Sequence, residues 1–138
     1  MKESVGITIP SHPKYLSVVR KTTDAVGKLY GLPEPDLEDI KLAIDEACSN
    51  VIKHAYGGDE TKKIVVKYTV TKKRFKVIIE DSGLKAQIEF MQGRSLNDVR
   101  PGGLGIHFIK RVFDRLKFDE KKKKGNRLVL SKTLQVKV

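Results

Sequence analysis

One cysteine, no tryptophan and two methionines occur in this chain of 138 residues. A single thiol, Cys48, builds no disulfide framework within one chain, so a reducing, cytoplasmic setting is the simplest expectation. Aromatic residues are only 7% of the chain, which leaves few stacking platforms for single-stranded nucleic acid. No run of eighteen apolar residues occurs, so no membrane-spanning helix is expected. The opening MKESVGITIP lacks the charged and apolar regions of a signal peptide. Acidic residues are also in short supply: 28 Lys and Arg stand against 17 Asp and Glu, a formal net charge of +11.

What is present suits one domain, residues 1–138, with a real core. The excess positive charge fits nucleic acid, anionic lipid, nucleotide phosphates or an acidic protein. It is spread along the chain, with one dense run at EKKKKGNR that also reads as a solvated turn between strands.

SVGITIP alternates and reads as a strand ending at Pro10. Ser11 is the expected N-cap of a helix with Pro13 in its first turn. Tyr15, Leu16, Val18, Val19, Ala25, Val26 and Leu29 form that helix's apolar stripe, and Gly31 stops it. PEPDLED opens a second helix with acidic residues at its start, running to about Tyr56. GGDE is a turn, and KKIVVKYTVTKKRFKVIIEDSG is a hairpin. LKAQIEFMQGRSLNDVRPGG has weak periodicity and reads as a long functional loop. A third helix carries Ile106, Ile109, Val112, Phe113 and Leu116, and a second hairpin closes the chain. The order β-α-α-β-β-loop-α-β-β predicts an α/β (α+β) two-layer sandwich, a mixed but mainly antiparallel sheet with helices on one face.

Within IKLAIDEACSNVIKHAY, residues 40–56, Glu46, Asn50 and His54 recur every fourth position. On a helical wheel Leu37, Ile40, Ile44, Ala47, Cys48, Val51 and Ala55 face the core. Glu38, Asp45, Ser49 and Lys53 face solvent, with Glu46 and Asn50 at the border. A carboxylate and an amide one turn apart can hold a hydrated Mg²⁺ or position a hydroxyl for deprotonation. The spacing is equally that of an ordinary exposed polar pair, and His54 equally a packing or capping residue.

Asp81 ends a buried strand, where its carboxylate can accept hydrogen bonds from an exocyclic amine such as that of adenine. Gly83 then lets the backbone approach a ring or turn sharply; a plain Asp-Ser-Gly turn has the same letters. Gly102, Gly103 and Gly105 open a helix, where backbone N–H groups and the helix dipole suit an anion, although capping alone also favours glycine there. No Lys-Ser/Thr follows, so this is not a P-loop.

In this order the segments LAIDEACSNVIKHAY, IEDSG, PGGLGIHFIKRVFD and GNRLVLSKTL resemble the N, G1 and G2 boxes and last strand of the GHKL ATP-binding superfamily. Within it the chain is most similar to the anti-sigma-factor serine kinases of bacterial sporulation and general stress, and ITIPSHPKYLSVVRKTTDAVGKLYGL fits that branch. The resemblance implies a GHKL (histidine-kinase-like) ATPase fold, ATP and Mg²⁺. It implies Glu46 as general base, Asn50 as Mg²⁺ ligand, and Asp81 with Gly83 at the adenine. Gly102, Gly103, Leu104, Gly105 and Ile106 would form the phosphate-binding end of an ATP lid, about residues 84–103 with its variable part at 86–102. Arg94 and Arg100 are candidates for a γ-phosphate contact that the motif does not fix.

The implied activity is ATP-dependent phosphorylation of a STAS-type anti-anti-sigma protein by a kinase that also sequesters a sigma factor, with homodimerisation implied by the family. A catalytically silent ATP-binding switch of the same fold is the alternative. A nucleic-acid-binding domain is the third reading, unsupported by any recognition-helix motif, so no direct nucleic-acid or membrane partner is expected. Two departures stand out: Lys85 where the superfamily often has a second glycine, and Asn126 where a threonine is common. The absence of a phosphoacceptor-histidine helix region ahead of the domain separates the chain from two-component histidine kinases.

Overall fold

The computed structural model describes residues 3–86 and 103–134. Five strands form one sheet: β1 (Glu3–Pro10), β2 (Lys63–Val70), β3 (Arg74–Asp81), β4 (Arg115–Phe118) and β5 (Asn126–Thr133). Their spatial order is β1-β2-β3-β5-β4, and each of the four pairings is antiparallel. Among the described residues three α-helices, α1 (Leu16–Leu29), α2 (Glu34–Asn50) and α3 (Gly103–Val112), form the second layer.

Strand alternation explains the layering. Ile64, Val66 and Tyr68 of β2 and Phe75, Val77 and Ile79 of β3 point to one face and are at most 1% exposed. Leu37, Ile40 and Ile44 of α2 and Ile109 of α3 close over that face, also at 1% or less. Full burial of each such side chain contributes about 1.5–3 kcal/mol. Cys48 lies in the same layer, wholly buried, and burial pushes its thiol up to about 12. No described helix is long and apolar enough to cross a membrane.

The apolar pattern of α2 lands as the wheel predicts, with Leu37, Ile40, Ile44, Ala47, Cys48 and Val51 all buried. Beyond Asn50 the helix widens into a π turn over Val51–Ala55.

Other expectations are corrected. Ser11 is not the cap of α1: it is fully buried, its Oγ donating to Asp59 O at 2.6 Å and accepting from Lys62 N at 3.0 Å. His12 does the capping, its Nδ1 accepting from Lys14 N at 3.0 Å ahead of a 3-10 turn at Pro13–Tyr15. On α1, Val18, Ala25 and Leu29 face solvent, because the helix buries the Leu16, Val19, Thr23 and Val26 side instead. Leu116 is not helical. α3 stops at Val112, Asp114 accepts a hydrogen bond from Thr133 N at 2.5 Å, and the chain turns into β4, where Leu116 pairs with Leu130.

Candidate functional site

The site grows from the C-terminal half of α2. Glu46 and Asn50 are both half-buried at the border of the apolar face, one turn apart. Among the described residues neither side chain makes a hydrogen bond to another group, whereas Asp45 beside them is taken by Arg20 at 2.7 Å. Glu46 lies against the first turn of α3. A β-carbon on Gly105 would overlap its carboxylate and come within 2.6 Å of its Cγ. Gly105 therefore clears room for the side chain of Glu46, a close approach the sequence reading assigned to phosphate instead.

Directly beyond Asn50 the π turn that follows α2 meets the end of β3. Leu84 N donates to Ala55 O at 2.8 Å. A β-carbon on Gly83 would lie 2.6 Å from the Ala55 carbonyl carbon and 2.9 Å from Tyr56 Cδ1, so only glycine passes there. Tyr56 ties three segments together. Its hydroxyl donates to Lys63 O at 2.5 Å and accepts from Ser82 N at 2.9 Å.

Asp81 sits at the centre of this corner, only 5% exposed. Its Oδ1 accepts from Gly83 N at 2.9 Å and from Asn126 Nδ2 at 3.0 Å; its Oδ2 receives only a longer contact from Asn126 Nδ2, at 3.3 Å. Oδ2 thus keeps accepting capacity for an amine. Burial pushes the Asp81 carboxyl above its ordinary value, opposed by the hydrogen bonds from Gly83 and Asn126. Asn126 also donates to Leu84 O at 2.8 Å and accepts from Ala86 N at 2.7 Å, pinning the backbone of Leu84–Ala86. Gly125, at φ +77°, packs its α-carbon under Asp81 and Ser82, where a β-carbon would come within 2.6 Å of Ser82 Cα.

The structure thus joins Gly105, Glu46, Asn50, Gly83 and Asp81 along one line formed by α2 and its π turn. His54 is exposed and takes no part. Ile106 is 3% exposed in the core, so any part it has at a ligand runs through its backbone. Gly103 begins α3 and Leu104 follows it in the same turn. Arg94, Arg100, Gly102 and most of the expected lid lie outside the described residues. Tyr56, Gly125 and the direct Asn126–Asp81 contact were missed as functional. An aromatic closing an apolar helix just before Gly-Gly was the available signal for the first, and the Gly-Asn pair opening the last strand for the others.

The residues fit a nucleotide with a divalent ion. One buried carboxylate keeps a vacant acceptor, one unengaged amide and one unengaged carboxylate stand a turn apart, and a helix start lies beside them. Among the described residues no cluster of three or more His, Cys, Asp or Glu forms. An ion at Asn50 would share its coordination with phosphate oxygens and water, the usual habit of Mg²⁺.

Residues 9–132 match the histidine kinase-like ATPase domain family. The chain is 29% identical over 121 residues to serine-protein kinase RsbW of Bacillus velezensis, covering 82% of this chain and 76% of that protein. RsbW of Halalkalibacterium halodurans is 29% identical over 96% of this chain and 85% of its own. RsbW of Bacillus subtilis is 26% identical, with 82% and 76% covered. Among solved structures, the RsbU and RsbW domains of a Mycobacterium tuberculosis protein superpose with a TM-score of 0.70 at 17% identity, over 97% of this chain and 33% of that one. At that identity the likeness speaks for the fold.

Proposed function

Because the chain belongs to the histidine kinase-like ATPase family, we propose that it is an ATP-dependent protein-serine/threonine kinase that doubles as an anti-sigma factor. The similarity to proteins named serine-protein kinase supports the chemistry. The single observation that carries the residue assignment is the line from Gly105 through Glu46 and Asn50 to Asp81, with each polar side chain left able to act.

In this reading Asp81 Oδ2 accepts from the adenine amine. The half-buried backbone at Gly83 lies beside that contact, and the N–H groups at the start of α3 face the phosphates. Asn50 holds Mg²⁺ through its side-chain oxygen, and the ion when bound offsets phosphate charge. Glu46 accepts the proton of the acceptor hydroxyl, held by the α3 backbone at Gly105 in the orientation the transfer needs. Positioning and electrostatics supply most of the rate enhancement in phosphoryl transfer, which suits a site built from fixed backbone and few side chains.

The acceptor is a serine or threonine of a small STAS-type anti-anti-sigma protein, and the second partner is a sigma factor. The solvent-facing apolar residues Val18 and Leu29 of α1, 44% and 73% exposed, support a protein-binding role for that helix. Nucleotide state then selects the partner held, through its differential affinity for the two complexes.

The test is incubation of the purified chain with a STAS-type partner and labelled ATP. Stable label on serine or threonine is expected, abolished by Glu46→Ala while calorimetric MgATP binding is retained. Binding of MgATP with no transfer identifies a silent nucleotide-dependent switch. Equal affinity for MgATP and MgGTP removes Asp81 from the adenine site.

A further inference from the structure

The sheet has a second face. Residues of β2, β3, β4 and β5 that alternate with the core positions point away from all three described helices. Ile78 and Val129 are partners on adjacent strands there, with Lys67 and Lys117 at the two ends of the same cross-strand row. The next row sets Lys76 and Arg115 on either side of Ser131. Strand spacing places Lys76 and Arg115 about 10 Å apart and Lys67 and Lys117 about 14 Å apart.

The centre of this face is nearly closed to water although no described helix covers it. Ile78 is 7% exposed and Ser131 5%. In the strand register they are flanked by Lys67, Lys76, Arg115 and Lys117, long side chains whose stems can lie over apolar surface with their charges at the rim. Among the described residues none of Lys67, Lys76, Arg115 and Lys117 forms an ion pair. Among the described residues the carboxylates at this face, Glu80 and Asp119, are already held, Glu80 by Lys122 and Arg127 at 3.3 and 3.1 Å and Asp119 by Arg127 at 3.1 Å. Four like charges so close repel one another, a cost that carboxylates of a partner would relieve.

We infer that the open face of the sheet is a docking surface for an acidic protein, received by a rim of Lys67, Lys76, Arg115 and Lys117 around the half-buried apolar side chain of Val129. An apolar centre inside a charged rim is the anatomy of a protein interface. A nucleic-acid backbone would need no such centre and would meet Glu80 there. A second copy of this chain would bring the same positive charges against themselves. The inference does not rest on the kinase reading, because it uses no residue of the nucleotide site.

The probe is a fluorescent synthetic peptide in which leucines are flanked by glutamates, with an all-glutamate peptide and a short DNA duplex as comparisons. Anisotropy is read at low salt with the full chain. In the triple variant Lys67→Glu, Lys76→Glu, Lys117→Glu the affinity is expected to fall by about ten-fold. The turn variant Lys121→Glu, Lys123→Glu, Lys124→Glu carries the same change in net charge and is expected to lose less than about two-fold. Amide shifts on adding the leucine-containing peptide should fall in β2, β3 and β5. A circular-dichroism spectrum and a cooperative thermal transition like the parent's certify that a variant is folded, and Lys→Gln changes at the same three positions replace a variant that fails this. Equal losses in the two triples, shifts confined elsewhere, or equal binding of the all-glutamate peptide overturn the proposal. So does duplex binding as tight as the peptide's, or self-association that the sheet triple abolishes.

Discussion

The carboxylate of Glu46 fills the space that a β-carbon on Gly105 would occupy. Two segments nearly sixty residues apart in the chain are thereby fitted to one another at the point where chemistry is proposed. The absence of a side chain on α3 sets where the α2 acid can lie.

Gly105→Ala therefore acts on Glu46 first. The added methyl forces Glu46 to another rotamer or α3 away from α2, and overpacking of this kind costs about 1–3 kcal/mol. Phosphotransfer should fall by a larger factor than MgATP affinity. Calorimetry and a labelled-phosphate assay on the same preparation measure the two. A loss of affinity with the rate of the bound complex unchanged would show that Gly105 serves the phosphates and not Glu46.

Tyr56→Phe removes one hydroxyl and leaves the ring. Lys63 O loses a donor and Ser82 N loses its acceptor. Both groups are only part-buried, so the loss should cost about 1 kcal/mol, and denaturant midpoints should drop by a corresponding amount. Because Ser82 follows Asp81, adenine-nucleotide affinity should weaken as well.

Asn126→Ala deprives three groups at once: the Asp81 carboxylate, Leu84 O and Ala86 N. Stability should fall by more than one lost hydrogen bond, of order 2–4 kcal/mol if the groups stay buried. Proteolysis near Leu84–Ala86 should quicken relative to the parent. Asn126→Thr keeps one hydroxyl for Asp81 and should lie between the two.

Asp81→Asn tests the raised pKa of this carboxyl. Burial lifts the folded carboxyl above its unfolded value, so the folded chain holds that proton more tightly. The resulting stabilisation is complete below the unfolded value and is lost as pH rises through the folded one. At neutral pH the ionised Asp81 is thus a burden on the fold, one that asparagine does not carry. The thermal midpoint of Asp81→Asn minus that of the parent should rise as pH climbs from below the unfolded carboxyl's value through the folded one. The same variant should lose nucleotide affinity. In the parent that affinity should fade on acidification at a higher pH than an ordinary carboxylate would give.

The sequence exposes what is local. The apolar periodicity of α2, the strand ending at Asp81 and the glycines opening α3 each leave a mark within a dozen residues, and each is found where expected. What escapes is contact between distant segments. Tyr56 meets Ser82 across 26 positions and Asn126 meets Asp81 across 45, and no periodicity records either. Asn126 stood out only as a departure from a familiar threonine, while the structure makes it a direct partner of Asp81. Ser11 misled because a serine before a helix has cap chemistry, and the turn ahead of β2 claimed it first. Leu116 misled because the helical period of α3 carries on, by coincidence of spacing, into residues that Asp114 turns onto the sheet.

Cys48 gives the molecule an internal clock. The sulfur sits on α2 between Glu46 and Asn50, sealed from solvent, and burial keeps it protonated far above neutrality. An alkylating reagent reaches it only when α2 lifts from the sheet. The labelling rate, read by mass, therefore counts openings of the very helix that carries the proposed base and metal ligand. Any ligand gripping that helix should slow the count in proportion to its occupancy.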